Sequence, residues 1–188
     1  MKKLVLRPLI PDHEKSIFIS EIQEAFQRAY IKEFGNFEKT ILPVADIEES
    51  FNAEGAEIYI AEIDGERVGG AVIVVNEKTG YNSLHLLYVK SGSQNAGNGF
   101  AIWKSIENLH PETKIWETHT PYYDKRNIHF YVVSRLWNSL IHGTKILIKQ
   151  MILPEIFHQK TTAFLDLRRK CSKYFPFYLV QHPYRGHP

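Results

Sequence analysis

Hydrophobic and polar positions alternate over residues 3–10, the pattern of a strand with one buried face, and Pro8 and Pro11 close it. Asp12 stands before a stretch in which Ile17, Ile19, Ile22, Phe26 and Tyr30 recur near helical spacing, interrupted by Phe18. Asp12 is the expected N-cap, its carboxylate accepting from the first free N–H groups, and Gly35 the expected C-terminal stop. A second short helix is expected over residues 45–51. These helices read equally well as packing elements and as one wall of a substrate cleft.

Two strand patterns follow over residues 57–63 and 67–76, separated by Asp64-Gly65-Glu66, a hairpin signal. A turn at residues 77–80 leads to a third strand over 81–90, apolar on both faces from 84 to 89 as a central strand should be. Three strands joined by short turns make an antiparallel meander. After a glycine-punctuated loop, a helix is expected over residues 97–109, burying Phe100, Ile102, Trp103, Ile106 and Leu109, and His110-Pro111 ends it. Residues 114–118 read as a fifth strand, and Pro121 sits near the start of a further helix carrying Asn127 and Tyr131.

Composition narrows this picture. The 188 residues suffice for one domain with a sizeable core, and 44% hydrophobic with 23% charged residues is ordinary for a soluble globular protein. A net charge of +2 gives no case for nucleic acid. The lone Cys171 excludes an internal disulfide and fits a reducing, cytoplasmic setting. The first residues carry two lysines but no long apolar core, so they do not read as a signal peptide. No run approaches the about 18 apolar residues of a membrane span.

The candidate chemistry lies where the third strand of the meander runs through a loop into a helix. Such a junction turns unpaired backbone N–H groups toward the positive end of a helix dipole, which suits an anion such as a pyrophosphate. The loop, Gln94-Asn95-Ala96-Gly97-Asn98-Gly99, follows Leu86-Leu87-Tyr88-Val89. It resembles the Q/R-x-x-G-x-G/A coenzyme A loop of the GNAT superfamily of N-acetyltransferases. The preceding antiparallel meander disfavours a dinucleotide site or P-loop built on parallel βαβ units. The stretch from Trp116 to Tyr131 resembles the family's next strand and helix, with its N-x-x-F-Y ending.

The resemblance covers roughly residues 1–131. It implies an α/β fold of the α+β type, with a central, mostly antiparallel mixed sheet flanked by helices. It implies acetyl-CoA as cosubstrate, no metal, and direct acetyl transfer to a primary amine on a small molecule or peptide. Leu87, Tyr88 and Val89 would pair by backbone with the pantetheine arm, and Gln94, Asn95, Ala96, Gly97, Asn98 and Gly99 would turn N–H groups to the pyrophosphate. The missing Cβ atoms of Gly97 and Gly99 would permit close approach and unusual dihedrals. Asn127 would reach the cofactor, and Tyr131 would protonate the leaving thiolate, a role that suits a neutral phenol. As an amphipathic residue, Tyr131 also fits a place in the core. A general base is needed to free the amine; His85, Glu117 and His119 are candidates without a motif, and such residues are more often simply solvated or hydrogen-bonded near a sheet edge, the reading favoured for each. Neither a nucleic acid nor a membrane partner is expected, and monomer and homodimer both stay open.

Past Tyr131 the resemblance fails. Residues 1–131 hold 14 Lys and Arg against 19 Asp and Glu, a net of −5, whereas residues 132–188 hold 9 against 2, a net of +7. Relatives continue Phe-Tyr with a Gly-Phe turn, two strands and a loop between them. Read one base out of frame, codons compatible with residues 132–138 spell Gly-Phe-Lys-Val-Val-Glu, and those of 151–170 spell a polar loop and an alternating Phe-Phe-Arg-Phe strand before a stop. Residues 1–131 are thus expected to form the domain, with the final strands missing or replaced by an atypical basic tail, residues 132–188, of frameshift origin. The alternative is a genuine extension in which Leu136, Leu140, residues 146–148 and residues 151–153 form a helix. A tail of this charge would also suit nucleic acid or an acidic membrane.

Overall fold

The computed structural model describes residues 3–36, 38–94, 96–121, 130 and 145–151. In chain order the elements are β1 (Leu4–Pro8), α1 (Pro11–Phe34), α2 (Val44–Asn52), β2 (Ala56–Ile63), β3 (Glu66–Val74), β4 (Tyr81–Val89), α3 (Asn98–Leu109), β5 (Ile115–Pro121) and β6 (Lys145–Met151). The strands form one sheet in sequence order. β1 to β4 are antiparallel, and β4–β5 and β5–β6 are parallel. This is the expected mixed α/β architecture.

Local chemistry explains the turns. Asp64 and Gly65, at φ 54° and 80°, make the two-residue turn between β2 and β3, whose twist matches the flanking strands. The expected cap of α1 is corrected. The helix starts at Pro11, whose ring fixes a helical φ and whose missing N–H costs nothing there, so Ile10 takes the N-cap position and Asp12 falls within the first turn. Glu14 substitutes for the cap, its Oε2 accepting the Ile10 N–H at 3.0 Å. Gly35, at φ 86°, ends α1 as expected and donates its N–H to Ile31 O at 2.8 Å.

Two apolar faces shift from their expected places. On α1 the buried apolar residues are Phe18, Ile22, Ala25 and Tyr30, whereas Ile17 is 47% exposed, so Phe18 anchors the face it was expected to interrupt. On α3, Ile102, Trp103 and Ile106 are buried, but Phe100 and Leu109 are exposed because they lie off the stripe that meets the sheet. The sheet thereby separates two clusters. Trp103, Trp116, Ile102, Ile106, Ile73 and Leu84 pack on the α3 side, with Phe18, Ile22, Ile47, Val72, Leu86 and Tyr88 on the α1 and α2 side. Burying such side chains is the main favourable term in the fold.

β5 runs on past its expected end at residue 118 to Pro121, and of the further helix expected beyond it the described residues include only Phe130, which is helical. A proline is tolerated at a strand's end, where fewer ladder bonds are asked of it. The sheet also extends beyond residue 131: residues 145–151, part of the helix in the alternative reading of the tail, form β6, with Ile115 opposite Lys145 and Pro121 opposite Met151. Among the described residues no helix is long and apolar enough to cross a membrane.

A charged network ties β1, α1, β2 and β3. Arg7 donates from Nη1 and Nη2 to the Glu14 carboxylate at 2.7 and 2.6 Å and from Nε to Glu62 at 2.9 Å. Arg67 Nη2 adds a bond to Glu14 at 2.8 Å. The Arg7 bonds, followed by the Ile10 N–H, hold the Glu14 carboxyl down from 4.5 to about 2. Its stabilisation is therefore present above pH 4.5 and lost as pH falls through about 2. Glu14→Gln is expected to cost about 3 kcal/mol at pH 7 by leaving two guanidinium groups undercompensated. In denaturant titrations the gap to wild type should close on acidification; a gap that does not change with pH would contradict the role given to Glu14.

Candidate functional site

The site begins where β4 and β5 part. At their starts the two strands are tied: Asn82, buried, donates from Nδ2 to Thr113 Oγ1 at 2.7 Å and accepts the Asn76 N–H at 2.9 Å. The Gly80 carbonyl accepts the Lys114 N–H at 2.9 Å. Parallel pairing then runs from Tyr81 opposite Ile115 to Leu84 opposite Thr118 and stops, although β4 continues to Val89 and β5 to Pro121.

The break coincides with a β-bulge. β3 pairs Ile73 with Leu84 and Val72 with Leu86, leaving His85 as an extra residue in β4. A bulge bends and twists its strand, and one inserted residue swaps the faces beyond it. Accordingly Leu84 packs on the α3 side while Leu86, two residues on, packs on the α1 and α2 side. Past the bulge, the edge of β4 that faces β5 has no strand partner among the described residues. Leu87, Tyr88 and Val89 lie on this edge, Leu87 and Val89 against the α3-side cluster and Tyr88 buried beneath α1.

The glycine loop starts as β4 ends. Ser93 N–H donates to Lys90 O at 3.0 Å, and Asn98 Nδ2 reaches back to Ser93 O at 2.8 Å. Gly97, at φ 76° and ψ 4°, is the N-cap of α3, and no side chain caps the helix. The first helical bond is Ala101 N–H to Gly97 O, so the N–H groups of Asn98, Gly99 and Phe100 have no acceptor among the described residues. A Cβ on Gly97 would meet nothing within 4 Å among the described residues. Gly99 differs from expectation: it is helical, and a Cβ there would make an ordinary 3.5 Å contact with Val89, so its conformation does not require glycine. Gln94 is half-buried and Ala96 exposed at the turn.

Asn95, Asn127 and Tyr131 lie outside the described residues. Phe130 is helical and packs against the α3-side cluster. The three candidate bases gather around the parting of the strands. His85 sits at the bulge; burial pushes its imidazole below the usual value, opposed by Glu49 of α2 and Glu117 of β5. Glu117 and His119 alternate with buried Trp116, Thr118 and Thr120, so they occupy the opposite face of β5, with His119 Nε2 3.7 Å from Glu117 Oε1. Glu49 was not singled out in the sequence, because nothing in its local spacing signals a neighbour on β4.

The residues around this wedge match a known family. The family model described as Acetyltransferase (GNAT) family matches residues 19–133. The uncharacterized protein YrkN of Bacillus subtilis (strain 168) is 45% identical over 129 residues, 68% of this chain and 70% of that protein. Among solved structures, the PaiA N-acetyltransferase of Thermoplasma acidophilum in complex with coenzyme A aligns with a TM-score of 0.52 at 14% identity, covering 70% of this chain and 88% of that one. AAC(6')-Ib in complex with ribostamycin and coenzyme A aligns with a TM-score of 0.51 at 21% identity, covering 69% and 80%. At such identities the structures establish the fold.

The two glycines of the loop should respond oppositely to alanine. Gly97→Ala is expected to cost about 1–2 kcal/mol because an L-residue resists the left-handed region. Gly99→Ala should be neutral or stabilising by up to about 1 kcal/mol, since alanine favours a helix. Equal losses in chemical denaturation would contradict the backbone assigned to Gly97.

Proposed function

The chain belongs to the acetyltransferase (GNAT) family, and on that footing we propose that it transfers an acetyl group from acetyl-CoA directly to a primary amine. The observation that carries this reading is the wedge: a β4 edge unpaired among the described residues, followed through the glycine loop by a helix end with no side-chain cap. An extended arm bearing amides matches the edge, and a diphosphate matches the helix end. The residues thus fit coenzyme A. Leu87, Tyr88 and Val89 would supply backbone groups to the pantetheine arm. Gln94, Asn95, Ala96, Gly97, Asn98 and Gly99 would wrap the diphosphate, with Asn127 reaching the cofactor from beyond β5.

In the proposed mechanism His85 accepts a proton from the incoming ammonium, directly or through one water, and its lowered pKa keeps it in the neutral, accepting form at pH 7. The freed amine attacks the thioester carbonyl to form a carbon–nitrogen bond, the carbon–sulfur bond breaks, Tyr131 donates its phenolic proton to the departing thiolate, and the surplus proton on the new amide nitrogen is lost and restores the Tyr131 phenol. No covalent enzyme intermediate and no metal enter. The acceptor is a small-molecule or peptide amine; AAC(6')-Ib, solved with ribostamycin, is a fold relative that holds such a compound. A cytoplasmic setting is part of this proposal.

The tail bears on whether the chain turns over. The family match ends at residue 133, close to the point where charge and composition change, which supports a frameshift origin for residues 132–188. It also favours a second reading, a coenzyme A-binding pseudoenzyme. Sequencing the gene in several isolates tests the frameshift: an intact frame through the present tail in all of them would sink it. Salt-dependent DNA or lipid binding lost on truncation after Tyr131 would instead support an interaction role for the tail.

Activity is tested by thermal protection with acetyl-CoA and by coenzyme A release against a panel of amines. Protection with release supports the transferase, protection without release the pseudoenzyme, and neither contradicts both. If the chain turns over, His85→Ala should lower kcat/KM by about 100-fold. The wild-type rate should fall as pH drops through a pKa below 6.5, the acid limb vanishing in the variant. An unchanged pH profile would place the base elsewhere.

A further inference from the structure

One carboxylate of α1 sits under the exit of β4. The Glu21 side chain is 12% exposed; it accepts the Tyr88 hydroxyl at 2.8 Å and faces Lys90 Nζ at 3.2 Å and Arg67 Nη1 at 3.7 Å. Tyr88 belongs to the open edge, and Lys90 is the residue on which the chain leaves the sheet. The Lys90 N–H makes a 2.9 Å bond to Val68 O at the end of the β3–β4 ladder, and its carbonyl accepts the 3.0 Å bond from Ser93 that starts the loop. Backbone and side chain of Lys90 are thus held from two directions. Tyr88 is a dependable donor, since burial, and next the bond to Glu21, raise its phenol well above its ordinary value. Arg67 also donates to Glu14, so the grip on β4 is continuous with the network that fixes the start of α1.

We propose that Glu21 is a positioning residue for the nucleotide loop: through Lys90 and Tyr88 it fixes the direction in which the chain leaves β4, and so where the loop N–H groups point. This rests on the coenzyme A reading of the loop. The proposal has a sign of its own. Coenzyme A is a polyanion, so a carboxylate near its phosphates repels it, and removing that charge should tighten binding if the field alone matters. If Glu21 holds the loop in its binding shape, removing it weakens binding through lost preorganisation.

The test uses the full chain with Glu21→Gln, Lys90→Met and the double variant. In protein without coenzyme A, both single variants should speed hydrogen exchange of the amides at residues 91–94 about threefold, with the β2–β3 amides unchanged. In calorimetry, Glu21→Gln should bind coenzyme A about three- to tenfold more weakly, and the double variant should lose no more than the larger single loss. Unchanged loop exchange, tighter or equal binding by Glu21→Gln, or additive losses would each overturn the proposal. If Glu21→Gln fails to fold, Lys90→Met, whose side chain is half-exposed, carries the exchange arm. Failure of wild type to bind coenzyme A would overturn the cofactor reading, and the exchange arm would still decide the role of Glu21.

Discussion

Two parallel strands fastened at one end and parted at the other are the constraint on which the rest of this protein depends. The Asn82–Thr113 bond and the Gly80 carbonyl hold the starts of β4 and β5 together. The bulge at His85 turns β4 just as its pairing to β5 ends. A strand edge left open inside a sheet presents unmet N–H and C=O groups, which is costly unless something completes them. Here the edge is followed, through the glycine loop, by a helix end whose own N–H groups are unmet among the described residues, and the proposed ligand, extended and anionic, would answer both needs.

The wedge keeps its shape because β3, next to it, is gripped from both faces. A Cβ on Gly70 would come within 2.6 Å of Phe18 Cε2, and one on Gly69 within 3.0 Å of Ile102 Cδ1, so consecutive glycines admit α1 on one side and α3 on the other. Phe18 in turn stands edge-on to Tyr88, ring centroids 5.0 Å apart, and Trp103 to Trp116, 5.2 Å apart. Interiors packed this closely transmit position well. The first pair joins α1 to the far end of β4, and the second joins α3 to β5.

What could be read from the chain was what its local chemistry decides. Asp64-Gly65 demands a tight turn, Gly35 stops a helix, and the glycine loop marks the passage from strand to helix. The bulge could not be read, because an extra residue in β4 is defined only against β3. Nor could the choice of Phe18 over Ile17, which depends on the gap that Gly70 opens fifty residues away. The grip of Glu21 on Tyr88 spans 67 positions and leaves no periodic trace. The strand, loop and helix of the proposed cofactor half were therefore legible, and the surroundings of His85 were not.

The central claim is that the open edge of β4 and the start of α3 together bind one ligand. Amide hydrogen exchange with and without acetyl-CoA, resolved to single residues, tests it most directly. The account predicts added protection within residues 85–89 and 97–100, with little change in β1 and β2. Protection confined to the loop, or spread evenly over the sheet, would contradict it.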